Sequence, residues 1–327
     1  MKTAVVITTI NKPTDAVREW VRRYHDGVIV IGDEKTPSDW LCQGSFYFPT
    51  SAGLPALSNR ISPNRYQRKM LGYISAAIEG ADVIIDTDDD NEPLAWICLP
   101  EFAQGPRGPG FVCSVHGWVN IYAICQEPDV WPRGLPLTAI AKPCGLVTEA
   151  DGEPIGVWQG LANGDSDVDA ICRLAVKPML GGEGESFKGP PFALARGTLA
   201  PINSQATLWR RECFPLLYLP CTVSMRACDI LRGYVAQPIL WAAGYRLGVC
   251  GPIVRQERNP HNLMDDFRQE MPLYLGMGEE VVAKVSEVVK PEASMADNLR
   301  AAYRAIIGVH GIDDELPILE EWLAAIG

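Results

Sequence analysis

The chain has 327 residues, 47% of them apolar and 21% charged, a globular balance that leaves room for one large α/β domain or two smaller ones. Lys and Arg number 29 against 40 Asp and Glu, so the formal net charge of −11 argues against a broad, non-specific nucleic-acid footprint. No apolar run reaches the roughly 18 residues that span a bilayer. Ten cysteines, spread singly from Cys42 to Cys250 without a C-x-x-C pair, read as reduced thiols of a cytoplasmic protein.

Met1 to Ile7 runs straight into a polar segment without a small-residue cleavage site, so it reads as a first strand and not a signal peptide. That strand, residues 4–7, ends in Thr8-Thr9-Ile10-Asn11. Val17, Trp20, Val21 and Tyr24 then recur at helical spacing behind Thr14-Asp15, a plausible N-cap. Residues 28–31 form a second strand closed by Gly32-Asp33. A second amphipathic helix spans residues 63–80, with Gly80 as its stop, and residues 82–86 form a third strand running into Thr87-Asp88-Asp89-Asp90-Asn91. This β-α-β-α-β order predicts a mainly parallel, doubly covered sheet, with ligands beyond the carboxyl ends of its strands. The three polar clusters lie at three such ends. Residues 93–220 are rich in Pro, Gly and Trp and weak in periodicity, as long active-site loops would be, and 181–189 reads as a mobile surface loop. It is no P-loop, because the Gly-Lys-Ser/Thr ending is missing. A helix over 224–237 stops before Pro238, and residues 278–327 read as a helical tail that serves packing.

Asp86, Asp88, Asp89 and Asp90 lie within five residues, and like charges that close resist ionisation unless something offsets them. Alternate side chains at a strand end point the same way, so Asp88 and Asp90 can share one oxygen-rich site. Mg²⁺ or Mn²⁺ prefers such carboxylates and takes substrate phosphates as further ligands. The plain alternative is a solvated acidic turn. Upstream, Arg65, Arg68 and Lys69 fall on one helical face suited to phosphate, or to balancing the aspartates. Asp165, Asp167 and Asp169 form a second acidic run. It is not an EF-hand, since Ala170 and Val176 replace the required Gly and Glu. Asp165 suits a helix N-cap, and the run also suits contact with sugar hydroxyls or an acceptor. Asp229 lies three residues from both Arg226 and Arg232. It is either part of a helical salt-bridge ladder or a general base for an acceptor hydroxyl. Trp118, Trp131, Trp158 and Tyr122 suit stacking on sugar rings, with core packing the commoner use. His116 is a further candidate for the pocket wall.

The strings Thr8-Thr9-Ile10-Asn11-Lys12-Pro13-Thr14, Gly32-Asp33-Glu34-Lys35-Thr36-Pro37, Arg68-Lys69-Met70-Leu71-Gly72-Tyr73 and Asp86-Thr87-Asp88-Asp89-Asp90-Asn91 resemble the STELLO-type family of glycosyltransferases. So do Trp131-Pro132-Arg133-Gly134, Asn163-Gly164-Asp165-Ser166-Asp167-Val168-Asp169-Ala170, Cys228-Asp229-Ile230-Leu231-Arg232-Gly233-Tyr234 and Arg258-Asn259-Pro260-His261-Asn262. The resemblance covers roughly residues 3–270 but lacks the membrane anchor of the plant Golgi members. It implies a GT-A-like, Rossmann-type mixed, mainly parallel sheet flanked by helices. The implied organisation is a domain over 1–277, divided into a nucleotide-sugar half (1–92) and an acceptor half (93–277), with a helical extension over 278–327. It also implies that Asp88, Asp89 and Asp90 form an Asp-x-Asp metal motif for Mn²⁺ or Mg²⁺, with Asp88, Asp90 and His261 as ligands. Thr8, Thr9, Asn11 and Asp33 would hold the nucleoside, with Lys35, Arg68, Lys69 and Asp89 nearby. Asp229 would be the catalytic base, and Asp167 and Asp169 would act at the sugar or acceptor. The implied partner is a nucleotide diphosphate sugar, a UDP-sugar first among them. A sugar-nucleotide mutase, a nucleotidyltransferase and a non-catalytic scaffold stay open beside it.

Overall fold

A computed structural model describes residues 1–49, 56–94, 111–113, 117–143, 145–147, 153–181, 184–258 and 261–327. The first third follows its sequence pattern closely. Strand β1 (Thr3–Thr8) leads to helix α1 (Asp15–Arg23), whose N-cap Thr14 accepts from the Val17 backbone N–H at 3.2 Å. Strands β2 (Val28–Ile31) and β3 (Ser45–Phe48) follow. A 3₁₀ turn (Tyr66–Arg68) then enters α2 (Lys69–Ile78), so the regular helix starts later than residue 63. Gly80 ends it at φ +78°, a conformation only glycine adopts without strain. Strand β4 (Val83–Thr87) delivers the acidic turn, and β5 (Asn91–Pro93) leaves it.

The middle of the chain departs from the loop-rich expectation. Beyond β6 (Phe111–Cys113), α3 (Ile121–Ile124) and β7 (Gly145–Val147), it supplies the centre of the sheet: β8 (Ile155–Gly164), β9 (Phe192–Leu194) and β10 (Ala206–Arg210). Helix α4 (Cys228–Ala242) runs through Pro238 instead of stopping before it. Every residue from Cys228 to Leu240 is buried, and that burial outweighs the roughly 3 kcal/mol that an interior proline costs a helix. Strand β11 (Arg246–Gln256) and helices α5 (Leu263–Tyr274), α6 (Met277–Val288), α7 (Met295–Ala305) and α8 (Leu316–Ile326) complete the chain. Among the described residues, no helix is long and apolar enough to cross a membrane.

The strands form one mixed sheet in the order β3-β2-β1-β4-β10-β8-β11-β9-β6-β7, with β5 paired to the end of β11. Pairing is parallel across β3-β2-β1-β4 and between β8 and β11, while β10 lies antiparallel to both its neighbours. Helices flank the sheet and the C-terminal region is helical, as expected. One face packs α1, including Trp20 and Val17, against Val5, Ile7 and Val30. The other packs α2, α4 and the C-terminal helices into a single core. Gly72 permits the close approach of α2, because a Cβ there would lie 2.5 Å from Val6 Cγ1. Trp118, Trp131, Trp158 and Tyr122 are all buried in these cores, so packing is their use, and His116 lies outside the described residues. Cys42, Cys125, Cys172, Cys213, Cys221, Cys228 and Cys250 are free thiols. Within 181–189, Glu185 is buried and accepts from the Ser166 hydroxyl at 2.9 Å, which no solvated loop would require.

The C-terminal tail is part of this core. Trp322 is fully buried, packs on Tyr73 and Tyr218, and donates its indole N–H to the Pro215 carbonyl at 2.9 Å. Trp322→Ala is therefore expected to lower the unfolding free energy of the whole chain by about 3–5 kcal/mol in a single denaturant transition. A tail that melts separately, with the sheet unaffected, would contradict the shared core.

Candidate active site

A cavity of about 700 Å³ opens beyond the carboxyl ends of β1, β2 and β4. Thr8, Thr9 and Asn11 line it after β1, Asp33 and Lys35 after β2, and Asp88, Asp89 and Asp90 after β4, with Arg65 and Arg68 from the entry to α2. The opposite wall comes from the later chain: Arg133, Asp167, Arg226, Asp229, Gln256, Arg258, His261 and Asp266. The topology thus gathers residues from 8 to 266 at one edge of the sheet. Lys69 and Asp169 do not reach the cavity.

Lys69 lies beneath it. Its ammonium is fully buried, 2.7 Å from Asp86 Oδ1 and 2.8 Å from Asp88 Oδ1, and it also donates to the Tyr66 hydroxyl at 2.9 Å. Tyr66 donates to Asp88 Oδ1 at 2.7 Å. Asp86 has a second cation, Arg232 of α4, at 2.9 Å. Although burial opposes it, Lys69 and Arg232 hold Asp86 below the usual carboxylate range. Lys69 therefore cannot share a phosphate-facing surface with Arg65 and Arg68. A helical face read at i, i+3 and i+4 assumes regular helix, but Arg65 and Arg68 belong to the 3₁₀ turn and its entry. Arg68 itself is buried, with Nε 3.5 Å from Asp33 Oδ2.

The neighbouring aspartates do different work. Asp89 fastens the turn: its Oδ2 accepts from the Thr9 hydroxyl at 2.5 Å and from Asn11 Nδ2 at 3.1 Å, and its carbonyl accepts from the Thr14 hydroxyl. Asp90 has only neutral donors, Gln256 Nε2 at 2.9 Å and Asn91 Nδ2 at 3.2 Å. Burial, and then the charges of Asp88 and Asp89, push its carboxyl up to about 7. The fold's own cations thus meet Asp86 and Asp88, while Asp89 and Asp90 have neutral donors only among the described residues. Among the described residues, no three His, Cys, Asp or Glu side chains group closely enough to hold a metal ion by themselves. A hard divalent ion here would have Asp88 and Asp90 as its carboxylates, and phosphates and water would complete its shell. His261 shares the cavity but turns Nδ1 toward Asp266, 3.3 Å away. That contact engages Nδ1 alone.

The opposite wall is built on Arg133. The turn carrying it is pressed against α4: Gly134 has φ +88°, and a Cβ there would sit 2.4 Å from Ile230 Cγ2. Arg133 bridges two buried carboxylates, donating to Asp167 at 2.8 and 2.9 Å and to Asp229 at 2.9 and 3.0 Å. Asp229 also accepts from the backbone N–H groups of Ser204 and Ile230. Four donors occupy its two oxygens, which leaves no lone pair for an acceptor's proton. The general-base reading of Asp229 therefore does not suit this geometry. Nor does α4 carry a salt-bridge ladder, since Arg226 reaches Glu270 of α5 at 2.9 Å and Arg232 reaches Asp86. Asp169 caps the following turn, accepting from Cys172 N–H at 2.8 Å and from Trp131 Nε1 at 2.6 Å. Asp165, the expected cap, instead pairs with Arg173 and Lys177. Beyond the candidates read from the sequence, the cavity wall adds Gln256, Arg258 and Asp266. Gln256 and Asp266 had no signal of their own, and Arg258 stood only at the edge of the His261 string.

Two curated Arabidopsis thaliana proteins match: Probable glycosyltransferase STELLO1, 30% identical over 305 residues, and Probable glycosyltransferase STELLO2, 29% identical over 295 residues. Each match covers 84% of this chain, but the chain spans only 38% of the length of each relative. The chain is a homologue of the STELLO-type family across that matched length. No family model matches. Among solved structures, a mycobacterial protein aligns at 12% identity and a TM-score of 0.41, covering 85% of this chain and 74% of that one. GalNAc-T7, solved with UDP, GalNAc and Mn²⁺, aligns at 12% identity and a TM-score of 0.39, covering 100% of this chain and 57% of that one.

Two outcomes test the charge assignments. Lys69→Met strips the shared cation from Asp86 and Asp88, and is expected to cost about 3–5 kcal/mol in equilibrium unfolding. Asp90 has a folded pKa raised above its unfolded value, so its ionisation destabilises the fold as pH rises toward 7. Asp90→Asn is expected to raise the thermal midpoint by an increment that grows from pH 4 to 7 and levels off above. An increment that does not vary with pH would show that Asp90 titrates normally.

Proposed function

We propose that this homologue of the STELLO-type probable glycosyltransferases is itself a glycosyltransferase, one that binds a nucleotide diphosphate sugar with a divalent ion and transfers the sugar to an acceptor hydroxyl. The observation that carries the proposal is the cavity in which Asp88 and Asp90 sit between the polar ends of β1 and β2 and an opposite wall from the later chain. The first set of residues suits a nucleoside diphosphate. Thr8 and Asn11 offer hydrogen-bonding groups, and Lys35, Arg65 and Arg68 bring positive charge to phosphates. Thr9 and Asp89 act one step removed, by fastening the acidic turn to the β1 loop.

Asp88 and Asp90 would hold Mn²⁺ or Mg²⁺, which when bound offsets charge developing on the departing nucleotide. Beneath them, Lys69 and Tyr66 fix the Asp88 carboxylate in place. On the opposite wall, Asp167 and Asp229 act as positioning residues: they orient Arg133 and, through it, the floor of the acceptor side. The donor reading favours a UDP-sugar, by the family resemblance.

Calorimetric titration tests the proposal. UDP is expected to bind with Mn²⁺ and to lose at least about tenfold in affinity without it. Asp90→Ala should abolish the metal-dependent part. Because a proton on Asp90 competes with the ion, Mn²⁺ affinity should rise from pH 6 to pH 8. Metal-independent UDP binding would remove the acidic turn from the site. No binding of UDP at all would point to a scaffold, and pyrophosphate release from UTP would point to a nucleotidyltransferase.

A further inference from the structure

The opposite wall holds a cation whose hydrogen-bonding capacity is largely unspent. Arg258 follows β11 and lines the cavity, yet its side chain is only 9% exposed. Its Nε is buried and has no hydrogen-bond partner. Among the described residues its hydrogen bonds run through Nη2 and are long: 3.4 Å to Asp266 Oδ2 and 3.5 Å to His261 Nδ1. Asp266 is a shared partner, with Arg226 at 3.7 Å and His261 at 3.3 Å. Arg226 in turn is committed to Glu270. A guanidinium has five N–H donors in a fixed fork, and burying one with most of them idle is costly unless a ligand takes them up.

The other cavity arginines differ. Arg133 is fully engaged by two carboxylates, and Arg68 sits beside Asp33. In the sheet order β4, which carries the acidic turn, stands between β1 and β2 on one side and β11, which Arg258 follows, on the other. Gln256, at the end of β11 and two residues upstream, donates to Asp90 at 2.9 Å. An anion held by Arg258 would therefore sit past the metal carboxylates, on the acceptor side, and not among the residues assigned to the donor's phosphates.

We propose that Arg258, with Arg226 and His261 beside it, forms an anion subsite in the acceptor half of the cavity, and that the acceptor is a hydroxyl compound carrying a phosphate group. The assignment of that anion to an acceptor rests on the transferase reading, whereas the anion site itself does not. The fork of Arg258 would take two phosphate oxygens, and His261 would supply a third contact through the ring nitrogen turned away from Asp266.

The probe is inorganic phosphate, titrated calorimetrically into the full chain, once free and once saturated with UDP and Mg²⁺. Phosphate is expected to bind in both cases with affinities within about twofold of each other, because the two anions occupy different ends of the cavity. Arg258→Gln should weaken phosphate at least about tenfold while changing UDP affinity by less than about twofold. Phosphate displaced by UDP, or UDP weakened tenfold by Arg258→Gln, would reassign Arg258 to the donor diphosphate and overturn the proposal. Absence of phosphate binding to the free chain would overturn it as well. The wild-type competition decides the matter even if Arg258→Gln fails to fold. Failure of UDP to bind would sink the transferase reading alone, and the phosphate titration of the free chain would still test the subsite.

Discussion

The arrangement depends on one buried ammonium. Lys69 lies between Asp86 at the end of β4 and Asp88 in the turn that follows, and without it a fully buried and a part-buried carboxylate would face each other with Arg232 alone to offset them. Desolvating an isolated charge costs several kcal/mol, so the acidic turn can exist only where the fold supplies counter-charges with good geometry. It does so twice, from α2 through Lys69 and from α4 through Arg232. These two helices come from distant parts of the chain and pack in the same core. The core and the site are therefore not independent: a change that shifts α2 or α4 moves a cation relative to the acidic turn.

That charge arrangement also separates the aspartates by function. Asp86 is structural, Asp89 is a fastener, and Asp88 is held by Lys69 and Tyr66 with part of its surface open to the cavity. Among the described residues neither Asp89 nor Asp90 has a cationic partner in contact, but Thr9 and Asn11 hold Asp89 while burial and its acidic neighbours oppose the charge of Asp90. A motif of four acids within five residues thus resolves into two that meet cations, one held by neutral donors, and Asp90, whose carboxyl is pushed up by burial and its neighbours. Four negative charges do not call for four equivalents of ligand. They call only for the charge that Lys69 and Arg232 leave unmet.

Much of the N-terminal third was legible, because its signals are local. Val17, Trp20 and Val21 mark the buried face of α1, Thr14 caps it, and the apolar run 28–31 is β2 to the residue. The placement of Thr8, Asp33 and Asp88 on one cavity followed from strand order alone. Strand β8 was not legible: Ile155–Gly164 is buried on both faces, so it shows no alternation, and its glycines read as loop. The partners of charged residues were the least legible. Arg226, Asp229 and Arg232 stand at helical spacing, and each turns to a different element, because burial makes a tertiary partner worth more than a solvated neighbour on the same helix. Asp229 looked like a base because its type and position suited one. Whether its lone pairs were free depended on Arg133, Ser204 and Ile230, which no spacing rule connects to it.

The net charge of −11 sets the terms on which such a cavity can take an anionic substrate. At long range the molecule repels a nucleotide diphosphate, and screening over about 8–10 Å at physiological salt weakens that repulsion without reversing it. Capture must then rest on charges met inside the cavity, at contact distance and in a reduced dielectric, where a single guanidinium counts for more than several surface lysines. Basic groups line the cavity on both flanks of β4, which carries the acidic turn, Lys35 after β2 on one and Arg258 after β11 on the other. A divalent ion at Asp90 would change the middle of that line from repulsive to attractive, so the two basic sides would act as one continuous path only once it is bound.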